Sequence, residues 1–150
     1  MEVLSTDSWG NPQEIIENGT HRVLSWCWSG QRLALMVEGI TLSQFFSHPI
    51  TFSSDEGEEL ENPLVSGGNN PIVWAYTYFP QAAIYGYAYD KNLRLTSSVT
   101  PDGMITYYSY DILGRLTEEY IYRYENSVRT KKTLKSYQYN YYDNNFNIDN

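Results

Sequence analysis

The chain contains the same motif twice, at a spacing of 21 residues. Tyr89–Thr96 has the sequence YDKNLRLT and Tyr110–Thr117 has the sequence YDILGRLT, so Tyr, Asp, Arg, Leu and Thr recur in register. A fixed spacing of this size is a signature of tandem structural repeats. Between the copies, Pro101 and Gly103 stand where a type I turn favours them. One repeat is therefore predicted to consist of two strands and two turns.

Each copy of the motif contains an aspartate placed to close a turn. Asp90 and Asp111 take the first position of a turn, where a carboxylate can accept a backbone N–H. Gly114 follows as the left-handed residue that restarts the strand through a bulge. Leu93 holds the same place in the earlier copy, so a shared geometry requires a positive φ there. The predicted structural turn residues are Asp7, Gly10, Asp90, Arg94, Asp102, Gly103, Asp111, Gly114 and Arg115.

The complete string at Tyr110–Thr117 resembles the YD-repeat (RHS-repeat) family. The likeness extends from about Tyr85 to Tyr142 and is looser over residues 1–40. Members of this family include very large bacterial surface or secreted proteins whose repeats wind into a β-sheet shell. The resemblance implies a structural scaffold with no catalytic residues and no cofactor of its own.

The same resemblance sets the expected location. The chain starts Met-Glu-Val-Leu, without the basic start and apolar core of a signal peptide. If the relatives are exported, the chain is either an excised fragment or a short gene product that stays inside the cell. We favour a fragment of an exported RHS protein, which would be found at the cell surface or secreted. No apolar run approaches the roughly 18 residues of a membrane span, so no membrane insertion is expected.

Further hairpin signals lie outside the two motif copies. Asn18-Gly19 is a two-residue hairpin turn signal, and Leu33–Val37 is a short apolar run typical of a buried strand. Alternation resumes at Trp74–Tyr78, which is predicted to be a strand. The predicted fold class is all-β, with serial antiparallel β-hairpins of YD/RHS-repeat type, one short inserted helix and a flexible acidic loop.

The inserted segment has two parts. Thr41 and Gln44 match a capping box, which predicts a short helix to about Phe46. Ser53–Pro71 is rich in Asp, Glu, Gly, Asn and Pro and cannot bury enough apolar surface to order itself. A length of 150 residues suits a single domain. We divide it into degenerate repeats at 7–40, the inserted helix and acidic loop at 41–72, the best-matching repeats at 74–142 and a polar tail at 143–150.

Tyrosine is the dominant aromatic residue, and all fifteen tyrosines lie between Tyr76 and Tyr142. Several share a strand face, where exposed rings could stack on sugars. The alternative is packing against neighbouring strands, for which tyrosine is well suited. Regular repeat positions favour packing, and a carbohydrate-binding or adhesive module remains the alternative function. The candidate ligand-stacking residues are Tyr85, Tyr87, Tyr120, Tyr122, Tyr137 and Tyr139.

Conventional nucleophiles and bases are few in this sequence. No motif links Cys27 with His21 or His48, and Cys27 is expected to be a small buried residue. These three residues lack metal-ligand spacing, and one aspartate in each turn is too few for calcium. The prediction is a protein without enzyme activity, metal or cofactor.

The charge balance restricts the partners. A net charge of −8 disfavours nucleic acid, because phosphate binding needs a basic surface. A sheet of serial hairpins exposes unpaired N–H and C=O groups on its end strands. We therefore predict contacts with neighbouring repeats or self-association through edge strands, with glycans as the alternative partner.

Overall fold

The computed structural model describes residues 1–52 and 70–139, which form nine β-strands and two short helices. Within each unit, strands that follow one another in the sequence pair in antiparallel register, which confirms the predicted all-β fold class. The chain divides into two compact units, Met1–Thr106 and Tyr107–Asn150. No helix in the described part of the chain is long and apolar enough to cross a membrane.

The first unit is an antiparallel sheet with two helices inserted before its fifth strand. Each strand pairs with the one that precedes it in the sequence. Asn18 (φ 52°) and Gly19 (φ 78°) form the two-residue turn that the sequence predicts. The elements are β1 (Glu2–Thr6), β2 (Pro12–Glu17), β3 (Thr20–Cys27), β4 (Arg32–Glu38), α1 (Leu42–Phe45), α2 (Pro71–Tyr78), β5 (Ala83–Tyr89) and β6 (Leu95–Val99).

The hydrophobic core of the first unit lies between one face of the sheet and the helices. Val23, Val37 and Ile84 pair across β3, β4 and β5, and all three are buried. Helix α2 places Ile72 directly over Gly86, where an added Cβ would lie 1.9 Å from Ile72 Cδ1. The absence of a side chain at Gly86 is therefore what allows α2 to approach β5.

Helix α1 forms where the capping box predicts it. The hydroxyl of Thr41 accepts the N–H of Gln44 at 3.2 Å, and Gln44 Oε1 accepts the N–H of Thr41 at 2.8 Å. Phe45 is buried, with its ring centroid 4.9 Å from that of Trp74 on α2. This aromatic contact holds the short helix to the core.

The strand predicted at Trp74–Tyr78 is wrong, because these residues belong to α2. Asn70 caps this helix by accepting the N–H of Ile72 at 2.8 Å. Pro71 takes the first helical position, where no N–H is needed. The single inserted helix of the prediction is therefore corrected to two.

The predicted flexible acidic loop, Ser53–Pro71, lies outside the described residues except for Asn70 and Pro71. The predicted polar tail at 143–150 lies outside them altogether. Both stay predictions, with the correction that Pro71 is helical.

The second unit contains β7 (Ile105–Tyr110) from Tyr107 onwards, β8 (Leu116–Glu125) and β9 (Val128–Ser136). Strand β8 pairs with both of the others in antiparallel register. Tyr107 and Ile121 are its buried hydrophobic residues in the described range. All nine residues of β9 are exposed, so this strand adds little to the core.

Candidate functional site

The turn at Asp90 is closed by a single carboxylate. Asp90 Oδ1 accepts the backbone N–H groups of Asn92 at 2.8 Å and Arg94 at 3.0 Å. Asp90 Oδ2 accepts the side-chain Nε–H of Arg94 at 2.9 Å. Leu93 completes the turn by donating its N–H to the Asp90 carbonyl, and it has a φ of 62°. The aspartate, the arginine and the left-handed residue of the motif thus all take part in closing one turn.

The turn at Asp111 repeats this geometry. Its Oδ1 accepts the N–H groups of Leu113 at 2.9 Å and Arg115 at 3.0 Å, and its Oδ2 accepts Arg115 Nε–H at 2.9 Å. Gly114, with a φ of 81°, stands where Leu93 stands in the earlier copy. The repeat is therefore one three-dimensional unit used twice, and Leu93 adopts the positive φ that a shared geometry requires.

The threonine of the motif also has the same role in both copies. Thr96 Oγ1 donates to the Ala88 carbonyl at 3.1 Å, and Thr117 Oγ1 donates to the Ser109 carbonyl at 3.1 Å. A bulge follows Ala88 and Ser109 in the corresponding strand pairs. The motif therefore fixes the strand register beside the turn as well as the turn itself.

Hydrogen bonds keep the turn carboxylates in the charged form. Burial opposes the charge on Asp90, but the N–H groups of Arg94 and Asn92 outweigh it and lower the pKa of Asp90. The N–H of Arg115 is the main cause of the lowered pKa of Asp111. Because a general base needs a pKa near the working pH, these carboxylates are poor candidates for that role.

Two further turns also combine an aspartate that accepts backbone N–H groups with a glycine of positive φ. In the turn of Asp102 and Gly103, Asp102 accepts the N–H of Met104 at 3.1 Å, and Gly103 has a φ of 83°. In the turn of Asp7 and Gly10, Asp7 Oδ1 accepts the N–H of Trp9 at 3.0 Å and that of Asn11 at 2.9 Å. Gly10 has a φ of 85°. The first turn therefore keeps the backbone pattern although its arginine is replaced by Asn11.

The tyrosines of β7 and β8 pack against one another. Tyr107 lies against Tyr120 and Tyr122, with ring centroids 5.5 and 5.2 Å apart. Two cations of β9 lie over the same cluster: Lys131 Nζ is 4.3 Å from the Tyr120 centroid, and Arg129 Cζ is 3.6 Å from the Tyr122 centroid. Ring surface that a sugar would need is therefore already in contact with protein groups.

The other four candidate tyrosines are at least partly exposed, and two of them form hydrogen bonds within their own unit. Tyr139 donates its hydroxyl to the Leu116 carbonyl at 2.7 Å and carries the Arg115 guanidinium 4.3 Å above its ring. Tyr137 donates to Glu119 at 2.7 Å. Tyr85 and Tyr87 are half-buried on β5, where they alternate with the fully buried Ile84, Gly86 and Ala88.

The three candidates for nucleophile and base lie in different surroundings. Cys27 is buried, as predicted. His21 Nδ1 lies 2.9 Å from Glu14 Oε2, and this carboxylate also accepts the N–H of Leu42 at 3.2 Å. His48 stacks on Tyr78, with ring centroids 4.2 Å apart. The carboxylate that contacts His21 thus links β2, β3 and the start of α1.

Metal binding and phenolate chemistry depend on two features of residues 1–52 and 70–139. No group of three or more His, Cys, Asp or Glu side chains in these ranges could hold a metal ion. Burial raises the pKa of Tyr89 to about 12, and its hydroxyl donates to the Leu33 carbonyl at 2.8 Å. Tyr89 is therefore a neutral structural donor at ordinary pH.

A cavity of about 140 Å³, which the sequence did not predict, lies beside the Asp7 turn. Its lining combines acid, aromatic and aliphatic side chains from separate stretches of the first unit. The sequence feature that could have indicated it is Trp9, a large aromatic residue inside the Asp7 turn. The lining includes Asp7, Trp9, Gln13, Trp26, Phe46 and Ile50.

A family model described as RHS Repeat matches residues 89–124. The match covers less than half of the chain and includes the turns of Asp90, Asp102 and Asp111. No curated protein and no solved structure matches the chain. The two turns with identical geometry thus fall inside the matched residues.

Proposed function

Because residues 89–124 are an RHS repeat, we propose that this chain is a non-catalytic structural segment of a larger bacterial surface or secreted RHS-type protein. In this proposal the segment forms part of a β-sheet shell. The observation that carries it is the shared geometry of the Asp90 and Asp111 turns, whose carboxylates bond to their own backbone and arginine. Such groups define a shape and leave little chemistry for a substrate.

The tyrosine contacts support this structural function over carbohydrate binding. A sugar-binding platform needs an aromatic face that is open to solvent. Tyr120 and Tyr122 instead contact Lys131 and Arg129, and each other at a centroid distance of 5.6 Å. Cross-strand contacts of this kind stabilise a sheet by roughly 0.2–1 kcal/mol for each pair.

The terminal strands suggest how the segment meets its neighbours. Strand β1 pairs with β2 and strand β9 with β8, and neither has a second partner among the described residues. An edge strand presents N–H and C=O groups that another strand can bind. In the larger protein we propose that adjoining repeats bind these edges, and that isolated chains associate through them.

The proposal is tested by the association state of the isolated chain. We expect analytical ultracentrifugation to show concentration-dependent association of the wild type. Val3→Lys in β1 together with Leu134→Lys in β9 should weaken it, because charges on edge strands oppose pairing. Ile112→Lys is the matched control, since Ile112 is 98% exposed in a turn and lies on no edge strand. A chain that stays monomeric at all concentrations would contradict the role of the edges.

A further inference from the structure

The cavity beside the Asp7 turn has walls suited to a cation with an apolar stem. Trp9 and Phe46 are about half exposed at this cavity, at 48% and 52%. Trp26 is held in place by a hydrogen bond from its Nε1–H to the Pro12 carbonyl at 2.8 Å. Aromatic faces attract ammonium and guanidinium groups, and guanidinium stacks on them most readily.

The carboxylate of Asp7 has an oxygen that its sister turns use for arginine. In those turns, Oδ2 of the aspartate accepts the Nε–H of Arg94 or Arg115 at 2.9 Å. The equivalent residue here is Asn11, whose amide donates instead to the Gly30 carbonyl at 2.7 Å. Within residues 1–52 and 70–139, no basic side chain pairs with Asp7. The turn therefore keeps the acceptor for a guanidinium without supplying the guanidinium.

The size of the cavity limits what can fill it. Sites for drug-sized ligands usually occupy roughly 300–1,000 Å³, and this cavity has a volume of about 140 Å³. It therefore has room for one side chain and not for a large cofactor. We propose that the cavity binds an arginine side chain of a partner polypeptide, with the guanidinium at Asp7 and the stem against the aromatic walls.

The surrounding charge favours such a partner. Residues 1–52 contain five acidic and two basic side chains. Both arginines of this stretch are already engaged: Arg22 pairs with Glu17 and Glu38, and Arg32 donates to the Leu93 carbonyl at 3.1 Å. An excess of negative charge around a cleft raises the local concentration of a basic ligand.

The probe for this site is the peptide acetyl-Gly-Arg-Gly-amide. We expect it to shift the indole N–H signals of Trp9 and Trp26 in two-dimensional NMR spectra, with saturation at about millimolar concentration, as is usual for a single side chain. The same peptide with citrulline has nearly the same shape but no charge. It should bind about 5-fold more weakly, since the partly exposed ion pair supplies the discrimination. Equal binding of the two peptides, or binding of neither, would overturn the proposal.

Two variants test the site from opposite directions. Asp7→Asn keeps Oδ1 as the acceptor that closes the turn but removes the charge, so peptide affinity should fall about 5-fold. Asn11→Arg supplies the guanidinium from within the turn, as Arg94 and Arg115 do, and should abolish peptide binding in a folded protein. Asp111→Asn makes the same chemical change in a sister turn and should leave binding unaltered. Undiminished binding to either folded Asp7→Asn or folded Asn11→Arg would refute the assignment.

Discussion

The conformation of Leu93 gives a quantitative test of the repeat turn. Leu93 has a φ of 62°, and Gly114 at the equivalent position has a φ of 81°. A residue with a Cβ loses about 1–2 kcal/mol in this left-handed region, whereas glycine enters it at little cost. Leu93→Gly therefore relieves strain, and Gly114→Leu introduces it.

Two opposing effects limit the gain from Leu93→Gly. Leu93 is half-buried, so the substitution removes roughly half of the 1.5–3 kcal/mol that full burial of a leucine provides. Glycine also makes the unfolded chain more flexible, which costs about 0.4–1 kcal/mol. Together these losses are of the same size as the strain that is relieved, so we expect the free energy of unfolding to change by less than about 1.5 kcal/mol.

Gly114→Leu lacks that compensation. Its neighbours Ile112 and Leu113 are 98% and 64% exposed, so a leucine side chain at this turn gains little burial. The strain, less the stiffening of the unfolded chain, leaves a loss of about 1 kcal/mol. This loss should lower the melting temperature by roughly 2–8 °C.

Urea and thermal melts followed by circular dichroism measure both variants. Asn92→Gly is the matched control, because it adds a glycine to the Asp90 turn at a position without positive φ. It should be destabilised by about 0.4–1 kcal/mol through the unfolded chain alone. A loss above about 2 kcal/mol for Leu93→Gly, as for a buried leucine, would refute the strained-turn argument.

The remaining predictions concern the core, acid stability and ligand binding. Gly86→Ala should lower the free energy of unfolding by about 1–3 kcal/mol in urea melts, because its Cβ overlaps Ile72. Asp111 contributes stability that is complete above the unfolded pKa of about 3.9 and is lost as pH falls through the lower folded pKa. Melting temperatures of Asp111→Asn should therefore depend less on pH in this acid range. On a glycan array, we expect the wild type to bind no sugar through Tyr85 or Tyr87. Glycan binding by the wild type that Tyr85→Ala or Tyr87→Ala abolishes would favour the carbohydrate alternative.

Much of the fold could be predicted because its signals are local. The capping box of Thr41 and Gln44 and the turn at Asn18-Gly19 are completed by side chains and backbone groups close in sequence. The Asp90 turn likewise needs only the groups as far as Arg94. Elements whose hydrogen bonds close within a few residues can be recognised without knowledge of the rest of the fold.

Helix α2 could not be recognised from periodicity. Trp74, Tyr76 and Tyr78 recur at every second position, which is typical of a strand. The signal that distinguishes a helix from a strand here is the cap formed by Asn70 and Pro71. These two residues directly follow the acidic stretch and belong to the predicted loop. The contact of this helix with the core depends on Gly86, which lies in a different element. The sequence of the helix itself therefore carries no other signal.

The surroundings of the tyrosines depend on strand register. Lys131 pairs with Tyr122 in the β8–β9 ladder but lies over the ring of Tyr120. A bulge between Glu119 and Tyr120 shifts the register nearby. A register change of one residue moves side chains to the other face, so a sequence pattern alone does not determine which cation meets which ring.

The Asp7 turn shows whether the motif arginine is needed to close the turn, because this turn has no arginine. The Asp7 turn closes through Oδ1 and the backbone although Asn11 replaces the arginine, which indicates that the arginine is dispensable for the turn. A half-exposed ion pair contributes about 0–1 kcal/mol, so Asn11→Arg should change the melting temperature little while it fills the acceptor at the cavity. Thermal melts and the peptide titration on the same sample distinguish these effects. A large stabilisation would show that the motif arginine is a main support of the turn, and that the Asp7 turn is less stable without it.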